Sequence, residues 1–152
     1  VVEKFIGDAV ICLFGHPFKD ENDSATETMK GDLQGAVYVA KECIAWSHSH
    51  FGGKMTAKAA VTYGDVFVGW VGPKSYSDLT VIGKPLTEMF RLEAVAPSQG
   101  IIMPRWFFDL AINEKIRWVG VGQYAAWVHS NGTENLRGVG TLDVHKIEYN
   151  PR

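Results

Sequence analysis

Between residues 23 and 49 the side chains Met29, Leu33, Val37, Ala40 and Ile44 recur at helical spacing. A helix with a single apolar stripe has to bury that stripe against another element. Asp23 or Ser24 can cap its start, and Phe51-Gly52-Gly53 ends it near residue 49. The flanking sequence offers strands as the surface to bury against. Val1 to Ile6 reads as a short strand, Gly7-Asp8 as a turn pair, and Ala9 to Phe14 as a second, buried strand. Together they form a hairpin with Asp8 at its tip. Residues 15 to 23 include His16-Pro17 and read as a loop.

Beyond the helix, Ala57 to Val71 is strand-like, with Gly64 and Gly69 as punctuation, and Gly72-Pro73 makes a turn. Leu79 to Ile82 is a short strand. Pro85 suits the first turn of a helix running to about Val95. Ala96 to Gly100 breaks that helix, Ile101 to Met103 is a buried strand, and Trp106 to Ile112 is a short helix. The remainder alternates between short strands and turns and ends with Leu142 to Tyr149. Asn131-Gly132-Thr133 matches a glycosylation acceptor, but Asn-Gly is also a strong hairpin turn, and the turn is the reading adopted. The order is α+β, with helices over a largely antiparallel sheet and no internal repeat or linker.

At 152 residues the chain is one domain with room for a core. Its net charge of -2 gives no bulk electrostatic case for nucleic acid or an anionic membrane. No apolar run reaches membrane-spanning length. Cys12 and Cys43 are too few for a disulfide framework and read as reduced core residues in a cytoplasmic setting. The five tryptophans suggest core and interface packing. GDVFVGWVG at 64–72 lacks the Lys-Ser/Thr ending of a phosphate loop, so its glycines serve turns and close packing. His48 and His50 are two apart, do not share a helical face, and are assigned no metal.

Polar residues gather at glycine turns in VEKFIGDAVICLFG at 2–15, in AVTYGDVFVGWVG at 60–72 and in SDLTVIGKPLTEMFRLEAVAPSQGI at 77–101. Thr87 and Arg91 are four apart and share a helix face. Read singly, Asp8 is an acidic turn residue, Lys4 a solvated strand lysine, and Arg91 a surface arginine on an amphipathic helix.

Taken in order, the three segments resemble the catalytic domain of the class III adenylate and guanylate cyclases, with a ferredoxin-like fold. The first matches K-F-I-G-D-A-V almost residue for residue. The second matches at Gly64, Val66, Gly69 and Gly72, and the third at Asp78, Thr80 to Gly83 and Arg91 to Glu93. The closing LRGVGTLDVHKIE is similar to the family's last strands. The resemblance implies conversion of a nucleoside triphosphate into a 3′,5′-cyclic monophosphate and pyrophosphate, with two Mg²⁺ or Mn²⁺ ions per site. Asp8 would be the second metal aspartate. Lys4 would read the purine with Thr80 as its partner, and because lysine only donates it favours adenine N1 and hence ATP. Family members that use GTP carry an acidic residue at the position of Lys4. Arg91 would stabilise charge on the phosphates, and Thr87 would orient the ribose. The site would form at a two-fold interface of a homodimer or paired cyclase domains, one chain supplying the aspartates and the other Lys4, Thr80, Thr87 and Arg91. An upstream sensor domain would fit the family.

The chain departs from the family pattern in three places. The first metal aspartate, its strand and the two helices after it precede Val1 in the family, so residues 1–152 are expected to be an N-terminally incomplete domain. Thr87 stands where the family usually has Asn, and Lys84-Pro85 replaces an Asp-small pair. These departures keep a second reading open: a catalytically silent cyclase homology domain that dimerises or binds nucleotide in a regulatory role.

Overall fold

A computed structural model describes residues 2–15, 25–111 and 127–151. The expected cap at Asp23 or Ser24, the His16-Pro17 loop and the strands expected between 112 and 126 lie outside the described residues.

The elements run β1 (Val2–Ile6), β2 (Ala9–Cys12), α1 (Ala25–Phe51), β3 (Ala59–Ala60), β4 (Phe67–Val71), β5 (Asp78–Ile82), α2 (Lys84–Ala94), β6 (Gly100–Pro104), α3 (Arg105–Ala111), β7 (Trp127–Leu136) and β8 (Gly140–Tyr149). The fold is α+β, as the sequence implied. Its strands form a four-stranded sheet in the order β3-β6-β8-β7 and two separate hairpins, β1-β2 and β4-β5. Among the described residues only the short β3–β6 pairing is parallel; the β6–β8 and β7–β8 ladders and both hairpins are antiparallel.

The centre of the large sheet is β6, buried along its whole length. A strand covered on both faces carries a continuous apolar run, as Ile101-Ile102-Met103 does. Ile101 and Met103 meet Leu33, Val37 and Ile44 of α1 and Phe107 of α3, so the predicted stripe of α1 is the one that packs. Ile102 points the other way and joins Leu92 of α2, Leu136 and Val144. The sheet is thus sandwiched, with α1 and α3 on one face and α2 on the other. Burying a side chain the size of Phe107 contributes roughly 1.5–3 kcal/mol.

Several expectations are corrected. The Ala57–Val71 run is not one strand. It is interrupted because Gly64 packs under α2, where a Cβ would lie 2.7 Å from Pro85 Cγ. Asn131-Gly132 is not a turn, since the two residues lie mid-strand opposite His145 and Val144. The β7–β8 hairpin turns instead at 137–139, where Gly138 supplies the left-handed backbone (φ 78°) that the reversal requires. In β2 only Ile11 is buried, because among the described residues the hairpin pairs with no further strand, and Val2, Phe5, Ile6 and Val10 are exposed. Both cysteines are free, but Cys43 lies on the solvent side of α1. Trp46, Trp70 and Trp106 are exposed, whereas Trp127 is half-buried and packs against the core.

Candidate functional site

Ile6 pairs with Ala9, so Gly7-Asp8 is a two-residue turn, and Gly7 takes a left-handed conformation (φ 61°) that costs glycine little. The turn holds Asp8 out at the exposed tip of a regular hairpin. Further back, the ladder slips between Val2 and Lys4. Successive strand residues normally point to opposite faces, and a local bulge relaxes that alternation. Here it lets Lys4 Nζ lie 3.7 Å from Glu3 Oε1, whose side chain is almost wholly buried. Lys4 Nζ also lies 3.5 Å from Asp78 Oδ2 on β5. The β1 lysine and the β5 strand are therefore neighbours.

Thr80 occupies the middle of β5 opposite Gly69, two residues from Asp78 and on the same face. Its hydroxyl donates to the main-chain oxygen of Asp78 at 3.2 Å. Helix α2 follows at once, opening with Pro85 in its first turn. It is fastened at both ends: Thr62 Oγ1 donates to the Pro85 carbonyl at 2.9 Å, and Lys58 Nζ reaches the Glu93 carbonyl at 3.0 Å and its carboxylate at 2.9 Å. Leu92 is fully buried beneath it, which leaves Thr87 and Arg91 exposed on the outer side.

The structure thus brings Lys4 to the strand that carries Thr80. Asp8 sits on the hairpin tip and Thr87 and Arg91 on the outer side of α2, and among the described residues these three make no side-chain hydrogen bond or ion pair with one another. Nor do three or more His, Cys, Asp or Glu gather among the described residues to hold a metal ion. The donor set nonetheless suits Mg²⁺ or Mn²⁺ in one form. Such an ion is commonly held by one or two carboxylates plus substrate phosphates, and Asp8 offers one exposed carboxylate.

A second polar cluster, built on His129 and His145, lies beneath α3. His145 is 4% exposed at its centre. Its Nδ1 is 2.7 Å from Asn131 Oδ1 and its Nε2 is 3.0 Å from His129 Nδ1. The Phe108 ring stacks on it with centroids 3.5 Å apart. Burial pushes the His145 pKa down to about 4, helped by His129 and Arg105 and opposed by Asp109. Burial, then Lys41, lowers His129 as well. Lys41 is itself buried, lies 4.9 Å over the Trp127 ring, and has its pKa pushed down to about 8 by burial. The alternation of β8, with Val144 inward to α2 and His145 toward α3, was the available signal. It was obscured because histidine carries no strand preference strong enough to set a face. In the sequence Asp78 is only a motif match, because its contact with Lys4 joins strands far apart along the chain.

No family model matches this chain, and no curated protein matches it. Solved structures do. The adenylyl cyclase CyaB from P. aeruginosa matches with a TM-score of 0.64 and 17% identity, over 100% of this chain and 73% of that one. The guanylate cyclase domain of RhGC from Catenaria anguillulae, in complex with GTP, matches with a TM-score of 0.64 and 14% identity, over 99% and 72%. The guanylyl cyclase Cya2 matches with a TM-score of 0.57 and 17% identity, over 100% and 71%. At these identities the likeness is one of fold: the chain is folded like class III cyclase catalytic domains. Among its described residues no helix is long and apolar enough to cross a membrane.

Proposed function

We propose that this chain is a nucleotidyl cyclase domain that converts ATP into 3′,5′-cyclic AMP and pyrophosphate at the interface of a dimer. The observation that carries the reading is the approach of Lys4 to β5. Lys4 lies 3.5 Å from Asp78, on the strand that carries Thr80 two residues further on, which supports reading Lys4 and Thr80 as one purine-reading pair. Fold relatives include both adenylyl and guanylyl cyclases, so base preference rests on this chain's own residues.

In the reaction the ribose 3′-oxygen attacks the α-phosphorus. The new 3′-O–P bond forms as the bond to the bridging oxygen breaks, pyrophosphate leaves with that electron pair, and the hydroxyl proton passes to solvent. Lys4 donates to adenine N1, and Thr80 accepts from the adenine amino group. Arg91 places its planar fork against phosphate oxygens, where charge grows in the transition state. Thr87 positions the ribose through its hydroxyl. Asp8, with the phosphates, would hold Mg²⁺ or Mn²⁺. Such ions, two per site, supply charge neutralisation and a lowered hydroxyl pKa. Asp8 serves one pocket and Lys4 the other, so a single hairpin contributes to two sites of the dimer. The domain works in the cytoplasm, where an upstream sensor would set its activity.

A second reading is a silent cyclase-like domain, favoured by Thr87, whose single hydroxyl replaces an amide. The two readings separate on product formation. The chain, both alone and extended upstream of Val1, is given Mn²⁺ with ATP or GTP, with Asp8→Ala and Arg91→Ala as controls. Cyclic AMP that vanishes in both controls supports the enzyme. A folded, dimeric protein that makes no product from either nucleotide supports the silent domain.

A further inference from the structure

We infer that Cys12 and Cys43 form a two-thiol oxidation site, which a peroxide converts into a disulfide that ties the β1–β2 hairpin to α1. Both thiols are free; Cys43 is exposed and Cys12 is half-buried.

The hairpin runs alongside α1. A Cβ at Gly15 would stand 2.7 Å from Asp32 Oδ2, and one at Gly35 would stand 3.6 Å from Phe14 Cδ1. Moving from Gly15 back to Phe14 therefore moves forward along α1, from Asp32 to Gly35. Cys12 lies two residues before Phe14, on the same side of the strand and about 7 Å further along it. At about 1.5 Å per helical residue, that distance brings Cys12 level with residues 39 and 40. Gly35, Val39 and Cys43 follow one another at four-residue steps and share a helix face. Helical side chains lean toward the N-terminus and cover the preceding turn, so the Cys43 thiol is aimed at the level of Cys12. The two groups also feel each other: burial raises the Cys12 pKa, and a thiolate on Cys43 raises it further.

Cys43 reacts first because it is exposed, whereas burial keeps Cys12 protonated. The Cys43 thiolate attacks one peroxide oxygen, the O–O bond breaks, hydroxide leaves, and Cys43 becomes a sulfenic acid. The Cys12 thiolate then attacks the Cys43 sulfur. The S–S bond forms as the S–O bond breaks, and the departing hydroxide takes up the proton that Cys12 gave up. Two thiols lose two electrons and two protons, and one peroxide becomes two waters. Among the described residues the hairpin pairs with no further strand. The bond therefore adds an anchor to the element that carries Lys4 and Asp8.

The test treats the reduced chain with hydrogen peroxide and maps its peptides by mass spectrometry without reductant. The expected product is a monomer two hydrogens lighter, with Cys12 joined to Cys43, and dithiothreitol should reverse it. Backbone hydrogen exchange in residues 2–12 should slow by about tenfold or more in the oxidised chain, because the hairpin can no longer lift from α1. Cys12→Ser should instead leave Cys43 as a sulfenic acid that dimedone traps. A double variant, Cys43→Ser with Glu42→Cys, turns the thiol about 100° around the helix and should form the bond about tenfold more slowly or not at all. A wild type in which Cys43 overoxidises or cross-links two copies while Cys12 stays reduced would overturn the site. Equal rates from positions 42 and 43 would overturn it as well, since the pairing would then come from chain flexibility and not from this fold. Unchanged hydrogen exchange in the oxidised chain would overturn the tether.

Discussion

Lowering the pH should unfold this domain through His145. Its pKa is held at about 4, against an ordinary value of 6.5. Above pH 6.5 the imidazole is neutral in folded and unfolded chains alike, and the full stability is present. Between 6.5 and about 4 the unfolded chain takes up a proton that the folded one refuses, so stability falls as pH falls. The whole shift corresponds to about 3 kcal/mol by pH 4, a large share of a typical domain's stability. The hydrogen bonds are not what resists protonation. With Nδ1 donating to Asn131, a new proton on Nε2 can be met if His129 moves its own proton to the far nitrogen. The resistance is the burial of charge at a site 4% exposed, stacked on Phe108 and with Arg105 nearby. His129 shifts in the same direction and steepens the loss. Urea unfolding from pH 7.5 to 4.5 measures it, with His145→Gln as the comparison. Glutamine can donate to Asn131 and accept from His129 but does not titrate. The wild type should lose stability much more steeply than the variant, whose residual slope belongs to His129. Parallel slopes in the two proteins would refute the reasoning.

Other consequences follow from single contacts. Phe107→Ala should cost about 3–5 kcal/mol in urea unfolding, because the ring is fully buried between α1 and the sheet. Gly64→Ala should destabilise by about 1–3 kcal/mol, since its Cβ would stand 2.7 Å from Pro85 Cγ, and the loss should shrink when Pro85 is replaced by Ala. Lys41 binds its proton less tightly folded than unfolded, so wild-type stability should rise from pH 8 to 10.5, and Lys41→Met should remove that rise. Arg91→Ala should reduce cyclic nucleotide production by about a hundredfold or more while leaving the melting temperature nearly unchanged, because Arg91 is exposed.

The legible parts of the fold were those with strong local signals. The spacing of Leu33, Val37 and Ile44 placed α1, Pro85 placed the start of α2, and the unbroken Ile101-Ile102-Met103 run marked the central strand. The misread parts were decided by partners distant in sequence. Asn131-Gly132 has the composition of a turn, yet cross-strand bonds from His145 to Asn131 and from Thr133 to Asp143 hold it in β7. The apolar run after Asp8 reads as buried, but burial depends on what covers a hairpin, which no local pattern encodes. For the site, the motifs singled out Lys4, Asp8, Thr80, Thr87 and Arg91. The contact between Lys4 and Asp78, and the tautomer-sensitive pair His129 and His145, arise only once separate strands lie side by side.

The measurement to make is complementation between two inactive variants, Asp8→Ala and Arg91→Ala, assayed for cyclic AMP with ATP and Mn²⁺ in the chain extended upstream of Val1. Each alone should be inactive. If one chain lends Asp8 and its partner lends Arg91 to a shared site, a mixed dimer keeps one intact site. An equal mixture should then recover about a quarter of wild-type activity, because half of the dimers are mixed and each has one of two sites. A mixture as inactive as its components, with subunit exchange confirmed, would contradict a site built from two chains.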